Sequence, residues 1–171
     1  MSSGKFTNIT VSSENVTQYS SLEPGDQLAV EGEMSGIDYY HHGIFIGHKE
    51  GIIDFGGPDK KSATVRRVDL LQFTDYGRRR LVRITYPEKD QCLPPEDVVW
   101  YAEGLFENPH IWGPYDIIKN NCEHFATKCK TGIAVSNQVI QKIRDCIQNP
   151  FQIFKYAVSS SKMSSGSLSR K

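Results

Sequence analysis

Apolar positions alternate with polar ones through the first half of the chain and take on helical spacing in the second. Gln27-Leu28-Ala29-Val30 follows the turn signal Glu23-Pro24-Gly25-Asp26 and predicts a strand. His41-His42-Gly43-Ile44-Phe45-Ile46-Gly47 is rich in β-formers and bounded by glycine. His48-Lys49-Glu50 then supplies a turn, and Gly51-Ile52-Ile53-Asp54-Phe55 a returning strand, which makes this the clearest hairpin in the sequence. Ala63 to Val68 and Arg80 to Tyr86 are further strand candidates, the second stopped by Pro87. Between them, Asp69 caps a short helical turn over Leu70-Leu71-Gln72-Phe73.

Helical patterns follow. Pro94-Pro95-Glu96-Asp97 places proline and acids in a first turn, and Val98, Val99, Ala102, Leu105 and Phe106 give that helix an apolar stripe ended by Asn108-Pro109. A helix beginning at Cys122 stops at Gly132, a C′ glycine. Val139, Ile140, Ile143 and Ile147 mark one more amphipathic helix. Strands followed by helices predict an α+β domain, an antiparallel sheet packed against helices. Its expected span is 21–148, behind a flexible N-terminal arm over 1–20 and ahead of a short apolar segment with a basic, Ser-rich tail over 149–171.

Composition narrows the partners. The 171 residues carry 20 Lys plus Arg against 20 Asp plus Glu, a balance that offers no basic surface to nucleic acid. The first residues have no apolar stretch of a secretory leader, and Ser2 stands where N-myristoylation needs glycine. Two matches to the glycosylation sequon, at Asn8 and Asn15, are therefore read as chance. Without an exporting signal, Cys92, Cys122, Cys129 and Cys146 are expected to be reduced thiols in a cytoplasmic protein. Their spacing with His124 matches no common zinc site, and no metal or other cofactor is expected. Phe151 to Val158 is too short to span a bilayer; with Lys155, Lys162, Arg170 and Lys171 it suits weak, reversible contact with an anionic membrane surface, or else a solvated tail.

The chemistry concentrates at Asn121-Cys122-Glu123-His124-Phe125. Asn121 is a candidate N-cap, and Cys122 stands in the first helical turn, where the helix dipole favours negative charge on sulfur. Cys122, Phe125, Ala126 and Cys129 share one face, whereas His124 lies about 200° round the helix from Cys122 and cannot serve it as a base. A histidine must come from elsewhere: His48 sits on a turn, His110 in a loop, and His41 and His42 point to opposite faces of their strand. Gly43 shares the His41 face and leaves room there for a helix end, which favours His41; periodicity alone does not decide between the two. Asp54, amid Ile52-Ile53-Asp54-Phe55, needs a partner, and a histidine across the hairpin would supply one. A structural, hydrogen-bonded carboxylate is the other reading of Asp54.

Pro24-Gly25-Asp26, the stretch His41 to Gly47, and Asn121 to Phe125 together resemble the lecithin:retinol acyltransferase-like family, which includes small phospholipase A/acyltransferase enzymes; the similarity runs from about Pro24 to Gln138. The resemblance implies a circularly permuted papain-like (NlpC-type) fold with base before nucleophile. It implies Cys122 as nucleophile, His41 as general base and then acid, and a Cys122 backbone N–H contributing to an oxyanion hole. It also implies a phospholipid acyl donor, a cysteine thioester, and water, an amine or an alcohol as acceptor. The chain departs from the pattern at Asp54, where the family usually has a second histidine; Asp54 would then be the orienting residue. A cysteine peptidase of related fold, and a membrane-associated interaction module that has lost turnover through position 54, are the rival readings.

Overall fold

The computed structural model describes residues 9–34, 37–88 and 91–148. The expected arm residues 1–8 and the expected apolar and basic tail over 149–171 lie outside them.

The strands are β1 (Ser12–Asn15), β2 (Gln27–Met34), β3 (Ile37–Gly47), β4 (Gly51–Gly56), β5 (Thr64–Val68) and β6 (Leu81–Thr85). They form one six-stranded sheet in the order β1-β6-β2-β3-β4-β5, with every neighbouring pair antiparallel. The helices are α1 (Leu70–Phe73), α2 (Pro95–Glu107), α3 (Cys122–Thr131) and α4 (Asn137–Gln148). The protein is thus α+β, as the order of patterns predicts.

Two strands run further than their sequence signals. β2 continues to Met34 and β3 begins at Ile37, so His41 and His42 lie in mid-strand, paired with Val30 and Ala29. The extension contains Glu31, Glu33 and Asp38, polar residues that carry little strand signal of their own; ladder pairing overrides local propensity here. β1 falls in the Ser-rich N-terminal arm and is held at the sheet edge by pairing with β6.

Strand parity divides the core. Ile44, Ile46, Ile53, Phe55 and Val65 join Val98, Ala102 and Leu105 of α2 and Phe125, Ala126 and Cys129 of α3 in one cluster. On the opposite face Leu28, Val30, Phe45, Ile52 and Leu81 surround Phe73 of α1. Burying each of these large side chains contributes about 1.5–3 kcal/mol relative to leaving it exposed. Asp69 closes α1 against this second cluster through a capping box with Gln72.

Two glycines are required by geometry. Gly51 closes the β3–β4 turn at φ +80°, where a side chain would also strike the Val68 carbonyl oxygen. Gly43 was expected to leave room for a helix end, and it does not. A Cβ there would lie 2.6 Å from Ile52 Cγ2 and 3.2 Å from the Phe73 ring, so α1 and the apolar core occupy the space. The stripe of α4 also departs from expectation: Ile143 and Ile147 are 50% and 75% exposed, while Gln138 on the same helix reaches the sheet.

Gly43→Ala should therefore lower stability by about 1–3 kcal/mol through overpacking, read as a lower urea midpoint with an unchanged slope. A variant as stable as the native protein would show that Phe73 does not press on β3.

Candidate active site

Residue 121 builds the start of α3. The Asn121 side-chain oxygen accepts from the N–H groups of Glu123 (2.9 Å) and His124 (3.1 Å). The Asn121 N–H in turn donates to His124 Nδ1 at 3.2 Å, so His124 plays the part that glutamate has in the usual capping box. Asn121 Nδ2 ties the preceding loop by donating to the Ile117 carbonyl oxygen at 2.8 Å. The cap thus uses the second and third N–H groups of the helix and leaves that of Cys122 to other partners. The other end of α3 is finished by Gly132 at φ +78°, in the left-handed conformation of a C-terminal cap.

Cys122 is 2% exposed. Its Sγ lies 3.9 Å from the Tyr40 carbonyl oxygen, on a stretch of β3 beyond the reach of β4, whose pairing with β3 starts at Gly43 opposite Asp54. Gln138 of α4 occupies this edge as a strand would: Tyr40 N–H donates to Gln138 Oε1 (2.7 Å), and Gln138 Nε2 donates to the Tyr40 carbonyl (3.0 Å). Gln138 is itself held by the buried Glu123 carboxylate, which accepts from its N–H and its Nε2.

Beside Tyr40, the His41 Nε2 and Asp54 Oδ2 are 2.7 Å apart. Asp54 also accepts from Arg66 Nε (2.8 Å) and Nη2 (3.2 Å). The structure therefore brings Cys122, His41 and Asp54 together and adds Arg66. His124 and His48 take no part, and His42 faces the other way, its Nδ1 3.2 Å from Gln27 Nε2.

The neighbouring histidines are driven in opposite directions. Burial disfavours charge on His41, but the charge of Cys122, hydrogen bonds with Asp54 and Cys122, and the Asp54 charge outweigh it and raise its pKa to about 10. For His42 burial outweighs the opposing charge of Glu123 and, with the charge of His41, lowers its pKa to about 4. Burial would raise the Asp54 pKa; the bond and charge of His41, followed by those of Arg66, instead hold it below the ordinary carboxylate range.

Tyr115 completes the group. Burial, then the charge of Cys122, pushes its hydroxyl pKa up and keeps it protonated. The ring packs on Phe55 with centroids 5.0 Å apart. A cleft of about 570 Å³ opens on these residues, lined by Tyr39, His41, Asp54, Phe73, Arg79 and Tyr115. Cys122 itself does not line this cleft; a thiol at a helix start beside a raised imidazole and a carboxylate is the arrangement used for nucleophilic acyl transfer. The family model described as lecithin retinol acyltransferase matches residues 20–135.

The chain belongs to the lecithin retinol acyltransferase family.

Two relatives of that family's kind are similar to it. Egg-laying defective protein 26 of Caenorhabditis elegans is 30% identical over 138 residues, covering 67% of this chain and 41% of the nematode protein. Lecithin retinol acyltransferase of Bos taurus is 37% identical over 73 residues, covering 42% of this chain and 30% of the bovine protein. The chain thus spans less than half the length of either. No solved structure matches. The family is one of acyltransferases.

Tyr115, Arg66 and Gln138 were not legible as site residues. Tyr115 lies in a loop with no periodic signal, Arg66 sits in a strand rich in basic residues, and Gln138 opens a helix whose pattern is carried by its isoleucines. The one available hint was Asp54 itself: a buried carboxylate asks for a cation, and β5 was the strand expected next in the chain.

The raised His41 pKa has a consequence for stability. Its charged form contributes fully below the ordinary value of 6.5, and that contribution is lost as the pH rises through about 10. The melting-temperature advantage of the native protein over His41→Gln should therefore shrink steadily across that interval. A constant difference would show that no such imidazolium pairing exists.

Proposed function

We propose that this protein is a thiol-dependent acyltransferase or phospholipase A that works on glycerophospholipid acyl chains through a thioester on Cys122. The observation that carries the reading is the His41 ring held against Asp54 beside the capped helix start bearing Cys122, in a chain of this family. With Nε2 committed to Asp54, Nδ1 is the nitrogen left to exchange a proton with sulfur and substrate.

The Cys122 sulfur attacks the ester carbonyl carbon of the phospholipid. Charge gathers on the carbonyl oxygen, where the Cys122 N–H and the Tyr115 hydroxyl donate. The tetrahedral intermediate collapses, the ester C–O bond breaks, and His41 gives its proton to the departing alcohol oxygen. A lysophospholipid leaves and the thioester remains. His41, now neutral, takes a proton from water, an amine or an alcohol, which attacks the thioester carbonyl; the C–S bond breaks and Cys122 is regenerated.

A base that precedes its nucleophile, with the cysteine at a helix start and the histidine on the sheet, supports the circularly permuted papain-like reading of the fold. Among the described residues no helix is long and apolar enough to cross a membrane. We place the protein in the cytoplasm with peripheral, reversible membrane contact through its tail.

Exposure to phosphatidylcholine vesicles should add one fatty-acyl mass to the intact protein, mapped to Cys122, and none to Cys122→Ala. Acylation that persists in Cys122→Ala, or a native protein that cleaves peptides and leaves phospholipid untouched, would refute the assignment. Tyr115→Phe should lower kcat by about a hundredfold, with KM changed far less, as expected for loss of one oxyanion donor.

A further inference from the structure

Asp54 has a second partner that the proposed mechanism does not use. Arg66 stands directly opposite it in the β4–β5 ladder, so the sheet itself sets the pair. The guanidinium forks onto the carboxylate, with Nε on Oδ1 at 2.8 Å and Nη2 on Oδ2 at 3.2 Å. Oδ2 is the oxygen that faces His41 at 2.7 Å, so Arg66 and His41 compete for one atom. Gly56 makes the crowding possible: a Cβ there would lie 3.0 Å from His41 Cε1 and 3.3 Å from Arg66 Nη2.

We propose that Arg66 is a positioning residue for the reaction: by forking onto Asp54 it aims Oδ2 at His41 and draws off part of the carboxylate's charge, so that the imidazolium can release its proton. The inference rests on the proposed thiol chemistry at Cys122 and extends it to a residue outside that triad.

The reasoning is electrostatic. A bare carboxylate on a buried imidazole holds the proton there, and a general acid that does not let go is a poor one. A neutral orienting group avoids this difficulty; a buried Asp needs a counter-charge, and Arg66 is placed to be it. Asp54 keeps its bond to His41 when Arg66 is removed, and the field of the carboxylate then falls on the ring without the opposing guanidinium. Other charged and titratable groups face this cluster too. Cys122 of α3 and Tyr115 of the loop before it border His41, with Tyr39 on its own strand. Asp59 and Lys60 of the β4–β5 loop and Asp75 and Arg79 of the loop after α1 line the cleft as two acids and two cations, with no net charge between them.

The test is the pH profile of Cys122 alkylation by iodoacetate, read on the Cys122 peptide, alongside turnover of phosphatidylcholine vesicles. An anionic reagent is drawn by the imidazolium, so its rate falls as His41 loses its proton. In Arg66→Gln the alkaline limb should move up by about one pH unit, and turnover at neutral pH should fall severalfold. Arg66→Lys, a point charge without the fork, should fall between the two. In Asp54→Asn the limb should move down, and adding Arg66→Gln should then change nothing further. The Arg66 side chain is 39% exposed, so its replacement opens no core cavity.

An Arg66→Gln limb that superimposes on the native one overturns the proposal. So does a shift of the same size in the Asp54→Asn background, or a matched loss of alkylation and turnover with no shift. If the limb moves as stated while the native protein turns over no lipid, the role of Arg66 stands and it is the acyl-transfer reading that fails.

Discussion

A carboxylate buried in an apolar strand organises this molecule. Asp54 is fully buried, and so are Ile52, Ile53 and Phe55 around it. An unpaired charge in such a place costs several kcal/mol, so each of its two partners offsets part of that cost. His41 comes from β3 and Arg66 from β5, and β4 lies between them; the charge therefore ties three adjacent strands at one level of the sheet. The same carboxylate holds the His41 ring against β4, so a structural role and an orienting role both fit Asp54. The sequence leaves those roles open because the partner that joins them, Arg66, cannot be picked out from its basic neighbours.

Cys122 reaches this level by a route other than the one periodicity suggests. A glycine beside His41 looks like a vacancy for a helix end, yet the second core fills it with Phe73. The helix start arrives instead at the rim of β3, where β4 has ended and the Tyr40 backbone would be without a ladder partner. Gln138 satisfies that backbone and Glu123 holds Gln138, so α3 and α4 together replace a missing strand. Cys122 is placed by the same arrangement, one residue from His41. A gap in backbone pairing is what admits the sulfur.

What the sequence showed and what it hid follow from the range of the forces involved. The β3–β4 hairpin, the Asp69 cap, the Asn121 cap and the Gly132 stop are set by neighbours a few residues apart, and each is found where its signal stands. The extensions of β2 and β3 depend on pairing that no local window contains. The opposite fates of His41 and His42 sit between these cases. Alternation establishes that they face apart, but only tertiary packing decides which histidine is bonded to a carboxylate and which is bonded to Gln27. Tyr115 and Gln138 act through contacts with residues brought near by folding, and a single chain read in order carries no mark of that.

The site is therefore a late product of folding and not a feature of any one element. The cysteine and its histidine are 81 positions apart in the chain, and the strand that supplies Arg66 comes between them. A helix such as α3, just short of three turns, has little stability in isolation; its apolar face docks on Ile44 and Phe55. Until that happens, Asp54 lies near a histidine with no sulfur beside it. The charges that raise His41 come from separate elements, so the arrangement belongs to the packed protein and to no element by itself.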